Sequence, residues 1–408
     1  MKTTTTSEKS FTLVKKRKNL QSRIVHFIYK KGSATINEIQ ESIAISTPTL
    51  LTFITELLDE QKIINVGKGK SSGGRKPDLY ALNENLAYVM AVHIERFSIK
   101  IGIYNNHLQQ SSIIKKYTFK INHENALEKL VEILLKNIEA FESNHLIINS
   151  VGIAMPGLID TNGNNLSYLA PAEKISLKTY LEDILKKTVA LENDVNSFTA
   201  AEQKTGIAKE NALVLLMDWG MGLGIIQGGI LQKGSTGYAG EIGHIPLTDN
   251  GRLCYCGKKG CLETVASGIA IAQLAKEGVM AGQNSTLKKL IDFDTEGIEP
   301  QVIIDAANQG DQFAIGLLGE VGESMGRIIS MLIQLFNPQQ IILAGKIADA
   351  KHFITVPLQY SINKYAMSQI ASQTSIDLSI LGENAGLIGI ASTTLENIFE
   401  ANLKKELE

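Results

Sequence analysis

All three cysteines of the 408-residue chain, Cys254, Cys256 and Cys261, fall within eight positions of one another, and His244 lies ten residues before the first. The turn residues Asn250-Gly251, Gly257 and Gly260 let this short loop fold back so that the sulfurs converge, with the imidazole as a fourth donor. Three thiolates and one imidazole make a closed tetrahedral shell for Zn2+. No position is left for water, so such a metal is structural. A disulfide with one spare thiol, or three ordinary buried cysteines, are the alternatives.

The spacing from Gly243 to Glu263, G-H-x9-C-x-C-G-x2-G-C-x-E, resembles that of the ROK proteins, a family of sugar kinases and sugar-responsive transcriptional repressors. The resemblance implies that the metal braces a loop. It implies that His244 ligates zinc through one ring nitrogen and touches sugar with the other, while Glu241 and Glu263 accept hydrogen bonds from sugar hydroxyls. Both roles are chemically sound: a metal-bound histidine usually donates its second N–H to an oxygen, and carboxylates accept from hydroxyls. The run Glu192-Asn193-Asp194-Val195-Asn196 looks like the family's Asn-Asp pair, in which Asn193 bonds a hydroxyl and Asp194 is the base, with Gly157 in the same site. Asn193 and Asp194 suit the cap of a following helix as well.

A kinase of this kind also needs tight loops whose backbone N–H groups cradle phosphate. ROK kinases open their body with Asp-x-Gly-Gly-Thr, and here the aligned run is His93-Ile94-Glu95-Arg96-Phe97. Two charged side chains replace the glycines, and His93 stands at the metal-organising Asp. The family's second phosphate loop, Gly-Thr-Gly, is Asp218-Trp219-Gly220. One sugar contact departs too, since Ala172 follows Ala170-Pro171 where the kinases tend to have Asn. The expectation is a body that binds a sugar or sugar phosphate without phosphorylating it, with Asp194 a former base and no catalytic residue left.

Ahead of this body, after a Thr- and Lys-rich lead of ten residues read as disordered, apolar residues recur at helical spacing. They do so from Lys18 to Lys31, from Thr35 to Ala44 and from Pro48 to Glu60. Thr47 suits the cap of the third helix and Pro48 its first turn. Strands are predicted at Lys62–Val66 and Asp78–Leu82, around the glycine-rich basic segment Gly67–Pro77. This order reads as a winged helix-turn-helix whose third helix offers Thr47, Thr49 and Thr52 to a major groove. The wing offers Lys68, Lys70, Arg75 and Lys76, in a narrow extended shape suited to a minor groove. Charge agrees: residues 1–80 carry a net +7 and the remainder −9, a basic module on an acidic body. A protein-binding winged helix or a flexible linker is the alternative. The same order, with a Gly-Gly-Arg-Lys-Pro wing, resembles the N-terminal domain of ROK repressors, which ROK kinases lack.

From Ala87 to Asn105 apolar alternation predicts a β-hairpin. A helix at Ala126–Phe141, buried strands at Val151–Ala154 and Val189–Glu192, and a helix beginning near Ser197 follow. A second hairpin (Leu213–Met217 and Gly224–Gln227), helices over 265–280 and 312–336, a strand at Ile341–Gly345 and a small-residue closing helix from Asn384 complete the pattern. The recurrence predicts two similar lobes facing a cleft, and resembles the actin-like ATPase superfamily over about residues 86–400. The expected organisation is α/β: residues 1–82 a winged helix-turn-helix, 83–194 with 383–408 a first lobe, and 195–382 a second lobe with the zinc loop and a dimerisation surface. No run approaches 18 apolar residues, and few, odd-numbered cysteines argue for a reducing cytoplasm. The expectation is a cytoplasmic repressor of carbohydrate-utilisation genes, a homodimer or tetramer, binding operator DNA and a sugar effector. An active sugar kinase fused to a DNA module, and a repressor that answers to a membrane transport protein, compete with it.

Overall fold

The computed structural model describes residues 6–69, 76–143, 146–172, 174–291 and 299–405. Helix α1 (Thr6–Lys31) leads into β1 (Ser33–Thr35), α2 (Ile36–Ile43), α3 (Thr47–Asp59), β2 (Ile63–Lys68) and β3 (Asp78–Leu82), and the strands pair antiparallel in the order β1-β3-β2. Residues 6–10, read from sequence as disordered lead, are the start of α1. The polar stretch before Lys18 has no apolar period to read. Its helix is supported by a distant contact, in which Arg17 lies 5.5 Å from the Phe53 ring and pairs with Glu56, both on α3. Thr35 and Glu38 close a capping box on α2. The cap of α3 is Ser46, one residue before the expected Thr47. Leu51 is exposed, and the helix buries Leu50, Phe53, Ile54 and Leu57. Strand β2 runs two residues beyond its expected end, to Lys68, where an ion pair of 2.6 Å with Asp78 closes the hairpin. Lys70 and Arg75 lie outside the described residues.

Two five-stranded sheets follow, built alike. The first, β6-β5-β4-β7-β8, uses β4 (Tyr88–Ile94), β5 (Ser98–Asn105), β6 (Lys115–Thr118), β7 (Ile148–Met155) and β8 (Thr188–Asn193), with helices α4 (Ala126–Glu142) and α5 (Leu177–Leu185). After α6 (Asp194–Lys204) comes the second, β11-β10-β9-β12-β13, from β9 (Ala212–Met217), β10 (Met221–Gln227), β11 (Ile230–Leu231), β12 (Gln340–Ala344) and β13 (Ser375–Leu378). Its helices are α7 (Glu263–Ala266), α8 (Gly268–Met280), α9 (Lys288–Ile291), α10 (Pro300–Asn308), α11 (Gln312–Phe336), α12 (His352–Tyr365) and α13 (Ser368–Ala371), and α14 (Ala385–Lys405) ends the described chain. In each sheet an antiparallel hairpin is extended by two parallel strands.

Central strands buried on both faces lose the apolar–polar alternation but keep a period of two in what they touch. On β4, Met90, Val92 and Ile94 join the core with α4 and α5, while Val89 and Ala91 join Leu387, Ile390 and Ala391 of α14. On β9, Leu213, Leu215 and Met217 face the core with α8 and α11, while Val214 and Leu216 face Phe198 and Ala201 of α6. Helices α6 and α14 thus cover one face of each sheet and pack on each other. Their approach is close: a Cβ on Gly389 would lie 1.6 Å from the Ser197 carbonyl oxygen, the reason for the small residues along α14.

The first eighty residues are not packed apart from this body. Ile24, Ile28, Leu50 and Leu57 belong to one continuous core with Val89, Leu395 and Phe399. Tyr29 stacks on Phe399 at 4.2 Å, and Glu396 of α14 pairs with Lys30 of α1 and Lys204 of α6. Among the described residues no helix is long and apolar enough to cross a membrane.

Candidate functional site

The cysteine loop folds as the turn residues require. Cys254 and Cys261 are buried and Cys256 is exposed, and none forms a disulfide. One donor atom each from His244, Cys254, Cys256 and Cys261 lies within 4.8 Å of the others. Cys256 Sγ stands 3.7 Å from Cys261 Sγ, and Cys254 Sγ stands 3.5 Å from His244 Nδ1. Bonds of about 2.3 Å to sulfur and 2.0 Å to nitrogen in a tetrahedron give edges of roughly 3.5–3.8 Å, and a disulfide needs about 2.0 Å. The donor set therefore fits a tetrahedral cation. Burial pushes the Cys254 and Cys261 thiols up, and a bound cation is what lets such thiols ionise together.

With Nδ1 turned to the sulfurs, His244 Nε2 is not left open. The Tyr255 hydroxyl is its hydrogen-bond partner at 2.9 Å, and Glu241 lies 4.0 Å away. Tyr255, between two of the cysteines, thus stands beside the nitrogen expected to face a sugar, and His244 still lines the cleft.

Gly157, Asn193, Asp194, Glu241, His244 and Glu263 all line one cleft of about 1080 Å³, together with Tyr168, Asp218, Trp219 and Tyr255. Ala172 is exposed and is not part of the lining. Helix α6 begins at Asp194, three residues earlier than expected, and Asn193 is its cap: Oδ1 accepts from the N–H groups of Val195 and Asn196. Asn193 Nδ2 donates to the Gly157 carbonyl at 3.1 Å, tying the strand end to the turn after β7. Gly157 has φ +99°, and a Cβ there would strike Ser167; only glycine holds that conformation without strain. Burial raises Asp194 to about 7, helped by Asp218 and Glu241. Burial, then Glu241 and Asp194, raises Glu263 to about 7, and burial raises Glu241. Such acids gain from ligand hydroxyls that donate to them.

At the other end of the cleft lie the two runs expected to stand in for phosphate loops. Phe97 and Trp219 meet edge to face at 5.3 Å, and the Arg96 guanidinium lies 5.2 Å from each ring. Glu95 accepts from Ser98 at 2.8 Å and pairs with Lys100 at 3.2 Å, while the Lys346 ammonium stands 3.8 Å from Glu95 and 3.9 Å from Asp218. Burial opposes the charge on Glu95, yet its neighbours hold it down to about 2. His93 contributes only when protonated, and burial pushes it down to about 4, so the two lysines and Ser98 carry the effect. Lys100 also pairs with Glu383 at 2.9 Å, just before α14. Sequence reasoning missed Tyr168, Tyr255, Lys100 and Lys346. The position of Lys346 just beyond the C-terminal end of a parallel strand was the available signal.

In the N-terminal module Thr47, Thr49 and Thr52 are exposed. Their hydroxyls have partners in Gln40, Ser46 and the Pro48 carbonyl. Lys76 is exposed, and Lys68 is paired with Asp78.

The ROK family model matches residues 89–397. A glucokinase of Thermotoga maritima is 31% identical over 300 residues, 71% of this chain and 92% of its own length. A xylose repressor of Bacillus spizizenii is 25% identical over 387 residues, 93% of this chain and 96% of its own. Among solved structures, a ROK family transcriptional regulator homologous to Escherichia coli MLC superposes with a TM-score of 0.77 at 21% identity, covering 96% of this chain and all of that one. From β4 to α14 the chain is built on the mixed α/β, actin-like plan of these sugar kinases and regulators, and it belongs to the ROK family.

Proposed function

We propose that the chain is a sugar-responsive transcriptional repressor of carbohydrate-utilisation genes. Its residues 1–82 bind operator DNA as a winged helix-turn-helix, and its cleft binds the effector between a first lobe (83–194 with 383–408) and a second lobe (195–382). One observation carries the reading. The two loops that would cradle nucleotide phosphate are occupied by Arg96, Phe97, Trp219 and the Glu95–Lys346–Asp218 cluster, while the carboxylate end remains open. The xylose repressor similarity, which runs through the N-terminal module, supports it. Asn193, Asp194, Glu241 and Glu263 receive the sugar hydroxyls, and structural Zn2+ on His244, Cys254, Cys256 and Cys261 stiffens the loop that carries Tyr255. The end of α11 leaves Met331, Leu335 and Phe336 exposed, apolar surface of the kind a second copy covers, in keeping with a cytoplasmic homodimer or tetramer.

A kinase is the second reading, favoured by Asp194 near neutrality and by the glucokinase similarity. A coupled assay with ATP and a panel of aldoses separates the two. The repressor reading expects no turnover; turnover abolished by Asp194→Ala establishes the kinase. Deleting residues 1–82 is expected to abolish operator binding, and a truncated chain that still binds operator contradicts the DNA assignment.

A further inference from the structure

We propose that the effector is acidic, a sugar bearing a phosphate or carboxylate group, and that Arg96 is the residue that selects it. This rests on the reading of the cleft as a sugar site. Two cationic side chains other than histidine line the cleft, Arg96 and Arg252. Arg252 is engaged in a two-pronged pair with Glu277. Arg96, half-buried, has no hydrogen-bond or ion-pair partner among the described residues, although Asp194, Asp218, Glu241 and Glu263 line the same cleft. It is held by aromatic rings alone, with Phe97 and Trp219 each 5.2 Å from the guanidinium carbon. Contact through the ring faces orients the planar group and consumes none of its five N–H donors. A pre-oriented, unspent fork is the donor arrangement that an oxyanion takes up with two parallel bonds, and a neutral hydroxyl uses poorly.

The acids near Arg96 explain why it is uncommitted. Glu95 is served by Lys100 and Lys346, and Asp218 has Lys346 within 3.9 Å. Lys100 is also committed to Glu383 and Lys346 stands 3.9 Å from Glu299, so both lysines are spent and Arg96 is the cation left uncommitted at that end. The opposite end, with Asp194, Glu241 and Glu263, repels a second anion. An acidic group on the ligand therefore has one place to go. A Cβ on Gly220, next to Trp219, would lie 3.7 Å from Glu263 Oε2, so the two ends are close enough to serve a single small ligand.

Trp219 is the only tryptophan in the chain and packs on Arg96, so its fluorescence reads this end of the cleft directly. Titrations of the full chain, by that signal and by calorimetry, would use glucose, xylose, N-acetylglucosamine, glucose 1- and 6-phosphate, N-acetylglucosamine 6-phosphate and glucuronate. An acidic sugar is expected to bind at least about tenfold tighter than its neutral parent, the scale of one charge-assisted hydrogen-bond pair. In Arg96→Gln that preference is expected to shrink to within about twofold with the neutral parent unchanged, and in Arg96→Lys to survive in part, as point charge replaces fork. A gain for the phosphates alone identifies phosphate as the group, and a gain for glucuronate alone identifies carboxylate. Equal or tighter binding of the neutral sugar by wild type overturns the selection by Arg96 and leaves the sugar site standing. Failure of every sugar to bind overturns both.

Discussion

Asp194 is a buried acid with a raised pKa, and its cost to the empty protein can be measured. A carboxyl raised from 3.8 to about 7 in the folded chain leaves stability whole at low pH and removes it as pH rises toward and through 7. Thermal unfolding between pH 4 and 8.5 should therefore show this contribution declining up to about pH 7 and levelling off above it. Asp194→Asn should differ little from wild type near pH 4 and become more stable than it as pH rises, by about 2–4 kcal/mol at pH 8.5. A less stable variant at pH 8.5 contradicts the assignment. The metal shell gives a second test at this scale. Cys256 is exposed, so Cys256→Ser opens no cavity and acts through the metal alone. Purified protein should carry about one zinc per chain, and the variant should lose metal and melting temperature together. A stable, reduced protein with little zinc contradicts the shell.

At the scale of elements, the proposed function makes α3 and the hairpin that follows it the DNA-reading surface. Arg75→Ala should weaken operator binding and lower discrimination for A·T-rich flanks. Lys76→Ala should weaken all sequences alike and make the salt slope shallower by about one, the share of a single neutralised phosphate. Lys68, already paired with Asp78, should matter less than Lys76. Equal effects of all three on every sequence would argue against a specific wing. What is legible in the chain is what is local. The period of two in β4 and β9, the capping residues, the cysteine spacing and the clustering of Gly157, Asn193, Glu241 and Glu263 all follow from neighbours in sequence or from family spacing. What escapes depends on distant partners. The early turns of α1 rest on Arg17 meeting Phe53 and Glu56, Lys30 meets Glu396 across 366 positions, and Arg96 is fixed by Trp219. No periodicity encodes such pairs. The contact of Tyr255 with His244 escapes for the same reason, since nothing in the spacing says that Tyr255 turns back onto its ring.

At the scale of the molecule, the cleft and the N-terminal module are joined by one helix. A Cβ on Gly386, at the start of α14, would touch the His93 ring, and Glu383 just before it pairs with Lys100. At the other end Phe399 stacks on Tyr29 of α1, inside a core shared with α2 and α3. Under the proposed function, a movement of one lobe against the other would reach the N-terminal module through these packed side chains. A ligand changes DNA affinity only by its differential affinity for two arrangements, and a coupling of about 1–3 kcal/mol corresponds to a roughly 5–150-fold loss of operator affinity. The most direct measurement is a sugar titration of the full chain with and without operator DNA, in wild type and in Glu263→Gln. The account expects operator to weaken sugar binding by the same factor by which sugar weakens operator binding, and Glu263→Gln to lower sugar affinity in both conditions. Equal sugar affinity with and without operator would contradict it.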